Sequence, residues 1–243
     1  MGNLLFETNH PESAIKYHQH ALKYNPKELQ ALIGLGNAYY DMQDPKESIK
    51  YYKRAIEIDD GLSDVHYNLG NALYLVESID EAIKHYEQAI KLNPKKPESF
   101  YNLGNAQCVK NEYQNAINSY QCALELDPKN APALYNLGNA LYTMNKYEDA
   151  VASYQKALQI NDQSPECHFN LASAYNDLKE YELALQHYQQ AIELDEENVD
   201  AYICIGSIHE MRKEPERAKR YYRSAHEIAP DNPKVIEAMQ KMR

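Results

Sequence analysis

Apolar residues recur along this chain at helical spacings. Leu134, Leu137 and Leu141 form an i, i+3, i+7 stripe. A second stripe follows at i, i+1, i+4, i+7 and i+8: Ala150, Val151, Tyr154, Ala157 and Leu158. Stripes of this period are typical of amphipathic α-helices with one buried face. The pattern predicts two helices, which we call A and B, with a break near residues 143–146.

The helix pair repeats with a period of 34 residues. The hexapeptide Tyr-Asn-Leu-Gly-Asn-Ala begins at Tyr67, Tyr101 and Tyr135, and a close variant begins at Phe169. Glycines recur at intervals of 34 residues, at Gly2, Gly36, Gly70, Gly104, Gly138 and Gly206. Ala172 occupies the one position in this series that has no glycine. Small residues and one aromatic residue hold fixed positions in helix B. A fixed period of this length predicts a repeat array that buries its core between neighbouring units.

Proline residues predict the limits of helix B. Pro11, Pro45 and Pro215 stand where helix B begins, and Asp44 precedes one of them as an N-cap. Further prolines stand where helix B should end: Pro26, Pro94, Pro128 and Pro230. Proline cannot continue a helix, because it lacks the N–H and its ring clashes with the preceding turn.

The repeat resembles the tetratricopeptide repeat (TPR). Within residues 97–130 the TPR pattern is met by Phe100, Leu103, Gly104, Ala116, Tyr120, Ala123 and Pro128. The resemblance covers nearly the whole chain and implies an all-α, right-handed superhelical α-solenoid. The predicted units are a partial repeat at 1–28, repeats at 29–62, 63–96, 97–130, 131–164, 165–198 and 199–232, and a capping helix at 233–243.

The first predicted repeat begins inside its helix A, which a terminal repeat with a polar cap would not do. We therefore expect a fragment of a longer array. Leu4, Leu5 and Phe6 would then lie at an exposed end and could mediate end-to-end self-association.

Composition narrows the class of protein. The net charge of −11 argues against nucleic-acid binding, which needs a positive surface. The four cysteines form no CxxC pair and indicate free thiols in a reducing compartment. No signal peptide and no apolar run long enough to span a membrane is recognised, so we expect a cytoplasmic protein that binds no membrane. A basic cluster follows near the end: Arg212, Lys213, Arg217, Lys219, Arg220 and Arg223. It is interpreted as a solvated face, with a docking site for an acidic partner as the alternative.

No pattern indicates catalysis, a metal site or a cofactor. The chain lacks GxxxxGK[ST], HExxH and GxSxG, so we expect no enzyme activity. His18, His66 and His168 occupy positions where packing between helices is the expected role.

The candidate binding residues lie on helix A. Asparagines form two columns, Asn68, Asn102, Asn136 and Asn170 in the first, and Asn37, Asn71, Asn105 and Asn139 in the second. The columns are three residues apart and share a helix face. An amide offers donors and an acceptor, as a peptide backbone does. The alternative is that these asparagines only follow the family consensus.

Aromatic and acidic residues accompany the amides. Tyr67, Tyr101 and Tyr135 precede the first column, and Asp64 and Glu98 occupy an outer position. Asp41 and Asp177 add to this rim. These acids predict a groove that prefers an extended peptide with basic or neutral side chains, unless they are simply a solvated helix face.

The resemblance implies that helix A lines a concave groove, so the predicted function is a protein-interaction scaffold that binds an extended peptide. Two alternatives remain. The asparagine ladder is similar to the TPR region of O-GlcNAc transferases, so the chain could be the substrate-recruiting part of a larger enzyme. It could also be a structural spacer in a large assembly.

Overall fold

The computed structural model describes residues 11–241, and within this range every regular element is an α-helix. The chain divides into two compact units, one ending at Pro128 and the other beginning at Lys129. The all-α prediction is confirmed. The predicted contact surface at Leu4, Leu5 and Phe6 lies outside the described residues.

In the first unit, seven helices lie within the described residues 11–128. They are α1 (Pro11–Tyr24), α2 (Leu29–Asp41), α3 (Pro45–Ile58), α4 (Ser63–Leu75), α5 (Ile79–Leu92), α6 (Pro97–Val109) and α7 (Tyr113–Leu126). Each A helix packs against the B helix that follows it, as α4 packs against α5, and α1, α3 and α5 each pack against the A helix that follows them. Consecutive A helices also touch, α2 against α4 and α4 against α6.

The second unit repeats this arrangement. Its helices are α8 (Ala131–Thr143), α9 (Tyr147–Ile160), α10 (Pro165–Asp177), α11 (Tyr181–Leu194), α12 (Val199–Met211), α13 (Pro215–Ile228) and α14 (Pro233–Lys241). Here α8 packs against α9, α10 against α11 and α12 against α13. The last helix, α14, packs against α13 and touches α12.

A glycine on helix A faces a tyrosine on helix B in each full hairpin except α10–α11. A Cβ on Gly70 would lie 2.6 Å from Cε1 of Tyr86, and one on Gly138 would lie 2.5 Å from Cε1 of Tyr154. These distances are too short for a real Cβ, so the glycine lets the buried ring lie against the backbone of helix A. The glycine register of the sequence therefore marks the closest approach of the two helices.

Small residues on helix B complete the contact. Ala82, Ala116 and Ala150 are fully buried, and at the same position Ser48 donates a hydrogen bond of 2.8 Å to the Gly36 carbonyl. The predicted helix limits are also found. The Asp44 side chain accepts a hydrogen bond from the Glu47 amide at the start of α3.

The turn from helix A to helix B contains a residue in the left-handed conformation. Its φ lies between 58° and 64° at Gln43, Glu77, Asn111, Asn145, Lys179 and Lys213. None of these residues is glycine, and the following amide bonds back into helix A, as Ser78 N–H does to the Leu73 carbonyl at 2.9 Å. The chain thus reverses direction through the same C-terminal cap in each hairpin.

Candidate functional site

The second asparagine column is held by tyrosine hydroxyls from helix B. Tyr86 OH donates to Asn71 Oδ1 at 2.9 Å, and Tyr154 OH donates to Asn139 Oδ1 at 2.8 Å. The same bond joins Tyr52 to Asn37 at 2.6 Å and Tyr120 to Asn105 at 2.8 Å. The tyrosine that fills the space over glycine therefore also fixes an amide on the exposed side of helix A.

Burial of these rings keeps their hydroxyls protonated. It is the main cause that raises the pKa of Tyr52, Tyr86 and Tyr154 far above the ordinary value of 10. Each ring is only 1% exposed. A protonated hydroxyl can donate to an amide oxygen, so burial of the tyrosine ring fixes the hydroxyl as the donor and the asparagine Oδ1 as the acceptor.

The first asparagine column bonds to the second across neighbouring repeats. Asn102 Nδ2 donates to Asn71 Oδ1 at 2.9 Å and to Tyr67 OH at 3.1 Å. In the second unit Asn170 Nδ2 donates to Asn139 Oδ1 and to Tyr135 OH, both at 2.9 Å. Asn68 Nδ2 makes a longer bond to Asn37 Oδ1, at 3.3 Å. The columns therefore form hydrogen-bonded ladders inside each unit.

These bonds determine which atoms remain for a ligand. Asn71 Oδ1 already accepts two hydrogen bonds, while its Nδ2 bonds to no other described residue. Asn102 uses both hydrogens of Nδ2, and its Oδ1 bonds to no other described residue. The surface therefore presents an amide donor and an amide acceptor in alternation, which complements the C=O and N–H groups of a peptide backbone. We call this surface, formed by the two asparagine columns and their tyrosines, the amide face.

Two neighbouring pockets open on the amide face of the first unit. One has a volume of about 270 Å³, and we call it the acidic pocket; it is lined by Asn37, Tyr40, Asp41, Tyr52, Asn68 and Asn71. The other has a volume of about 300 Å³, and we call it the tyrosine pocket; it is lined by Tyr40, Tyr67, Asn71, Tyr74, Leu75, Tyr86, Asn102 and Asn105. The structure thus brings together five of the predicted asparagines and Tyr67.

The predicted outer acids are placed differently. Neither Asp64 nor Glu98 lines the acidic pocket or the tyrosine pocket. The Asp64 carboxylate is 2.7 Å from Lys96 Nζ, which also lies 4.0 Å from the centre of the Tyr67 ring. Lys96 was not among the predicted site residues, because the repeat register does not mark its position. It offsets the charge of Asp64 and leaves Asp41 as the acid that lines a pocket.

The remaining predicted residues lie in the same pattern. Tyr135 accepts the bond from Asn170 described above, whereas Tyr101 and Asn136 lie half-buried on α6 and α8.

The pattern changes along α10 and α12. Ser173 replaces asparagine and its hydroxyl lies 3.1 Å from Tyr188 OH. On α12, Glu210 accepts a hydrogen bond from Tyr222 OH at 2.9 Å. Asp177, at the position of Asp41, accepts a hydrogen bond from Tyr142 OH at 2.5 Å. The ladder therefore ends at Asn170 in the second unit.

Histidine pairs lie between helices A and B in two hairpins. His66 Nδ1 is 3.0 Å from His85 Nδ1, and His168 Nδ1 is 3.0 Å from His187 Nδ1. His66 Nε2 lies 3.0 Å from the Asp60 carbonyl, so Nε2 carries the proton and Nδ1 accepts from His85. The packing role predicted for His66 and His168 thus includes a bond to a partner that the repeat register did not reveal.

No group of three or more His, Cys, Asp or Glu side chains among residues 11–241 is arranged to hold a metal ion. Within the same residues, no helix is both long and apolar enough to cross a membrane.

Comparison with known proteins places these features in a family. A model described as TPR repeat matches residues 77–108, 108–145 and 138–179, and one described as tetratricopeptide repeat matches 29–61 and 165–198. No curated protein matches the chain.

Several solved structures are similar to this chain. YrrB, described as a TPR protein with an unusual peptide-binding site, is 24% identical with a TM-score of 0.71, over 78% of this chain and 97% of that one. MamA is 25% identical with a TM-score of 0.66, over 67% and 95%. The C-terminal part of a TPR repeat-containing protein from Cytophaga hutchinsonii is 18% identical with a TM-score of 0.84, over 98% of both chains.

These neighbours share the repeated helical hairpin, and the predicted α-solenoid class is confirmed. TPR arrays generally act as interaction scaffolds for other proteins rather than as catalysts. The hairpins, the glycine–tyrosine contacts and the two family models together show that the chain belongs to the tetratricopeptide repeat family.

Proposed function

We propose that the protein is an interaction scaffold that binds an extended peptide segment on the amide face. The observation that carries this proposal is the alternation of an outward donor, Asn71 Nδ2, and an outward acceptor, Asn102 Oδ1. Such a surface can form hydrogen bonds with the backbone groups of a peptide and tolerates different peptide side chains. YrrB, a solved structure of the same fold, is described as having a peptide-binding site, which is in keeping with the proposal.

The hydrogen bonds within the ladder favour a rigid site. Asn71 is fixed by Tyr86 and Asn102, so binding would not need to order its side chain. A site that is ordered before binding loses less conformational entropy on association. Asp41 on the rim favours basic or neutral segments over acidic ones.

The sharpest test changes one atom of the ladder. Asn71→Asp keeps an oxygen that can accept from Tyr86 and Asn102, but it replaces the outward donor with an acceptor. Peptides of about twelve residues would be selected from a randomised library on the wild-type protein, and their affinities measured by fluorescence anisotropy. We expect the variant to bind at least about tenfold more weakly, because the peptide carbonyl meets a carboxylate.

The matched control is Asn118→Asp. Asn118 is exposed on α7, outside both pockets, and its change adds the same charge. Its affinity should stay close to wild type. Measurement in about 0.5 M salt, where the Debye length is only ~4 Å, screens the added charge. Equal affinities of wild type and Asn71→Asp for all selected peptides would refute the proposal.

A further inference from the structure

The acidic and tyrosine pockets are equivalent positions of consecutive repeats that differ in chemistry. Asp41 ends α2 and lines the acidic pocket, while Leu75 ends α4 and lines the tyrosine pocket. The two residues are 34 positions apart, so they occupy the same place in the repeat. A ligand that crosses both pockets therefore meets a carboxylate in one pocket and a leucine side chain in the other.

The acidic pocket is suited to a cationic side chain. The Asp41 carboxylate makes no hydrogen bond or ion pair with another described residue, and partial burial raises its pKa. Asp177, the equivalent residue of the second unit, is instead engaged by Tyr142 OH. The Tyr40 and Tyr52 side chains beside Asp41 add aromatic surface and no positive charge, so an ammonium or guanidinium group would supply the missing partner.

The tyrosine pocket has an uncharged lining, in which aromatic rings and Leu75 offer a surface for an apolar side chain beside the amides of Asn71, Asn102 and Asn105. Tyr67, Tyr74 and Tyr86 line it together with Leu75, which is 55% exposed, and no acidic or basic residue is among its lining residues. Lys96 lies 4.0 Å from the centre of the Tyr67 ring and is paired with Asp64, so the pair adds little net charge beside the pocket and offers a cationic side chain no free acid. An aliphatic or aromatic side chain would bury apolar surface against Leu75 and the rings.

The spacing between the pockets sets the spacing in the ligand. The pockets share Tyr40 and Asn71, and helices α2 and α4 are in contact. Axes of packed helices are about 8–10 Å apart. An extended or polyproline II chain advances about 3.1–3.4 Å per residue, so about three residues span one repeat. In polyproline II, residues three apart also point to the same side.

We propose that the amide face of the first unit selects a segment with Lys or Arg in the acidic pocket and an apolar residue three positions away in the tyrosine pocket. This inference rests on the proposed function and adds the class of partner: a basic–x–x–apolar motif in an extended protein segment. Because the motif is defined by spacing, the reverse chain direction satisfies it with the order apolar–x–x–basic, and the synthetic peptides below take whichever order the selected binders show.

The peptides selected above test the motif directly. Binders that depend on Asn71 should be enriched in a basic and an apolar residue three positions apart. A synthetic peptide of about twelve residues with Lys-x-x-Leu in a Gly, Ser and Thr background should bind at least about fivefold more tightly than its Ala-x-x-Leu and Lys-x-x-Ala counterparts. A Lys-x-Leu peptide should lose the same advantage.

Two substitutions assign the preferences to their pockets. Asp41→Asn should remove the advantage of Lys over Ala while keeping that of Leu, and Leu75→Asp should convert the preferred peptide to Lys-x-x-Lys. Glu57→Gln on α3 removes an acid that lines neither pocket, so it should leave both preferences unchanged. These measurements belong at low salt, where a single ion pair is least screened.

The outcomes separate the two proposals. Asn71-dependent binders without the basic–apolar pair, or an unchanged Lys preference in Asp41→Asn, would overturn the motif and leave the proposed function standing. If the library gives no binder that depends on Asn71, both the motif and the proposed function are wrong.

Discussion

At the scale of single residues, a buried tyrosine determines which atoms of a half-buried asparagine are left to bind a partner. The Tyr86 ring fills the space over Gly70, and its hydroxyl donates a hydrogen bond to Asn71 Oδ1. The amide nitrogen of Asn71 is therefore the atom left to bind a partner. The same group of residues occurs in the second unit around Tyr154 and Asn139. Core packing and surface chemistry are therefore linked through one side chain.

Removing that hydroxyl should affect binding more than folding. Tyr86→Phe keeps the ring but leaves Asn71 Oδ1 with Asn102 alone. We expect a loss of about 0.5–1.5 kcal/mol in the free energy of unfolding and a clear loss of peptide affinity. Urea unfolding and anisotropy would measure the two effects.

Tyr188→Phe is the matched control. Tyr188 is equally buried, but its hydroxyl lies against Ser173 rather than an asparagine. It should cost similar stability and leave peptide affinity unchanged. A similar loss of affinity in both variants would mean that the ladder bond is not what orients the site.

The histidine pair of the first unit predicts a dependence of stability on pH. Burial, helped by the neighbouring His66 and by Lys53, lowers the pKa of His85 from 6.5 to about 4, and Glu81 opposes the shift. The unfolded chain therefore binds more protons than the folded protein between these pH values. This contribution to stability is complete above pH 6.5 and is lost as the pH falls toward 4.

An NMR titration of His85 should give a pKa well below 6.5. The predicted repeat at 131–164 offers a control, since Leu134 and Ser153 occupy the positions of His66 and His85. Between about pH 7.5 and about pH 5, the melting temperature of a variant with His66→Leu and His85→Ser should fall less than that of the wild type. Part of the drop should remain, because burial also lowers the pKa of His187 and of His168. An unchanged drop would contradict the assignment.

At the scale of helices and turns, the hairpins depend on a left-handed residue that is never glycine. Glu77 has φ of 59° and Asn111 has φ of 60°. This conformation is costly for most side chains, while asparagine tolerates it better. The sequence does not mark these turns with glycine, which is why only the structure revealed their shared geometry.

Glu77→Gly should therefore stabilise the protein. Relief of the left-handed strain outweighs the added entropy of glycine in the unfolded chain, so we expect a gain of about 0.5–1 kcal/mol, measured by thermal unfolding. Asn111→Gly should gain little or lose stability, because the Asn111 side chain also accepts a hydrogen bond of 2.7 Å from Tyr113 OH. A larger gain at Asn111 than at Glu77 would contradict this account.

At the scale of the whole molecule, the two units use one design with different details. Each contains asparagines of both columns that are joined by hydrogen bonds and contacted by tyrosine hydroxyls. The charge is uneven along the chain, with a basic cluster on α13 and the turn before it. Arg212 and Arg217 in this cluster form ion pairs with Glu182 and Glu214, at 2.9 Å and 3.3 Å. These pairs favour the interpretation of the cluster as a solvated face.

The sequence by itself determined the family and the fold class. The 34-residue register of glycines, alanines and tyrosines predicted the helix pairs, because each repeat must present the same small and large residues at each contact. Prolines and Asp44 predicted helix limits through purely local chemistry. The candidate asparagines could also be identified, since they stand on the same helix face as a regular column.

Only the tertiary structure decided which atoms of Asn71 and Asn102 are left without a bond to another described residue, and which of the predicted acids lines the acidic pocket. The hydroxyl that orients Asn71 comes from another helix, 15 residues away, and the nitrogen that shares its oxygen comes from the next repeat, 31 residues away. Lys96 pairs with Asp64 across 32 residues, whereas Asp41 lines the acidic pocket and has no ion-pair partner among the described residues. A repeat register gives the position of a residue on its own helix, but hydrogen bonds and ion pairs depend on side chains from other helices that only folding brings together.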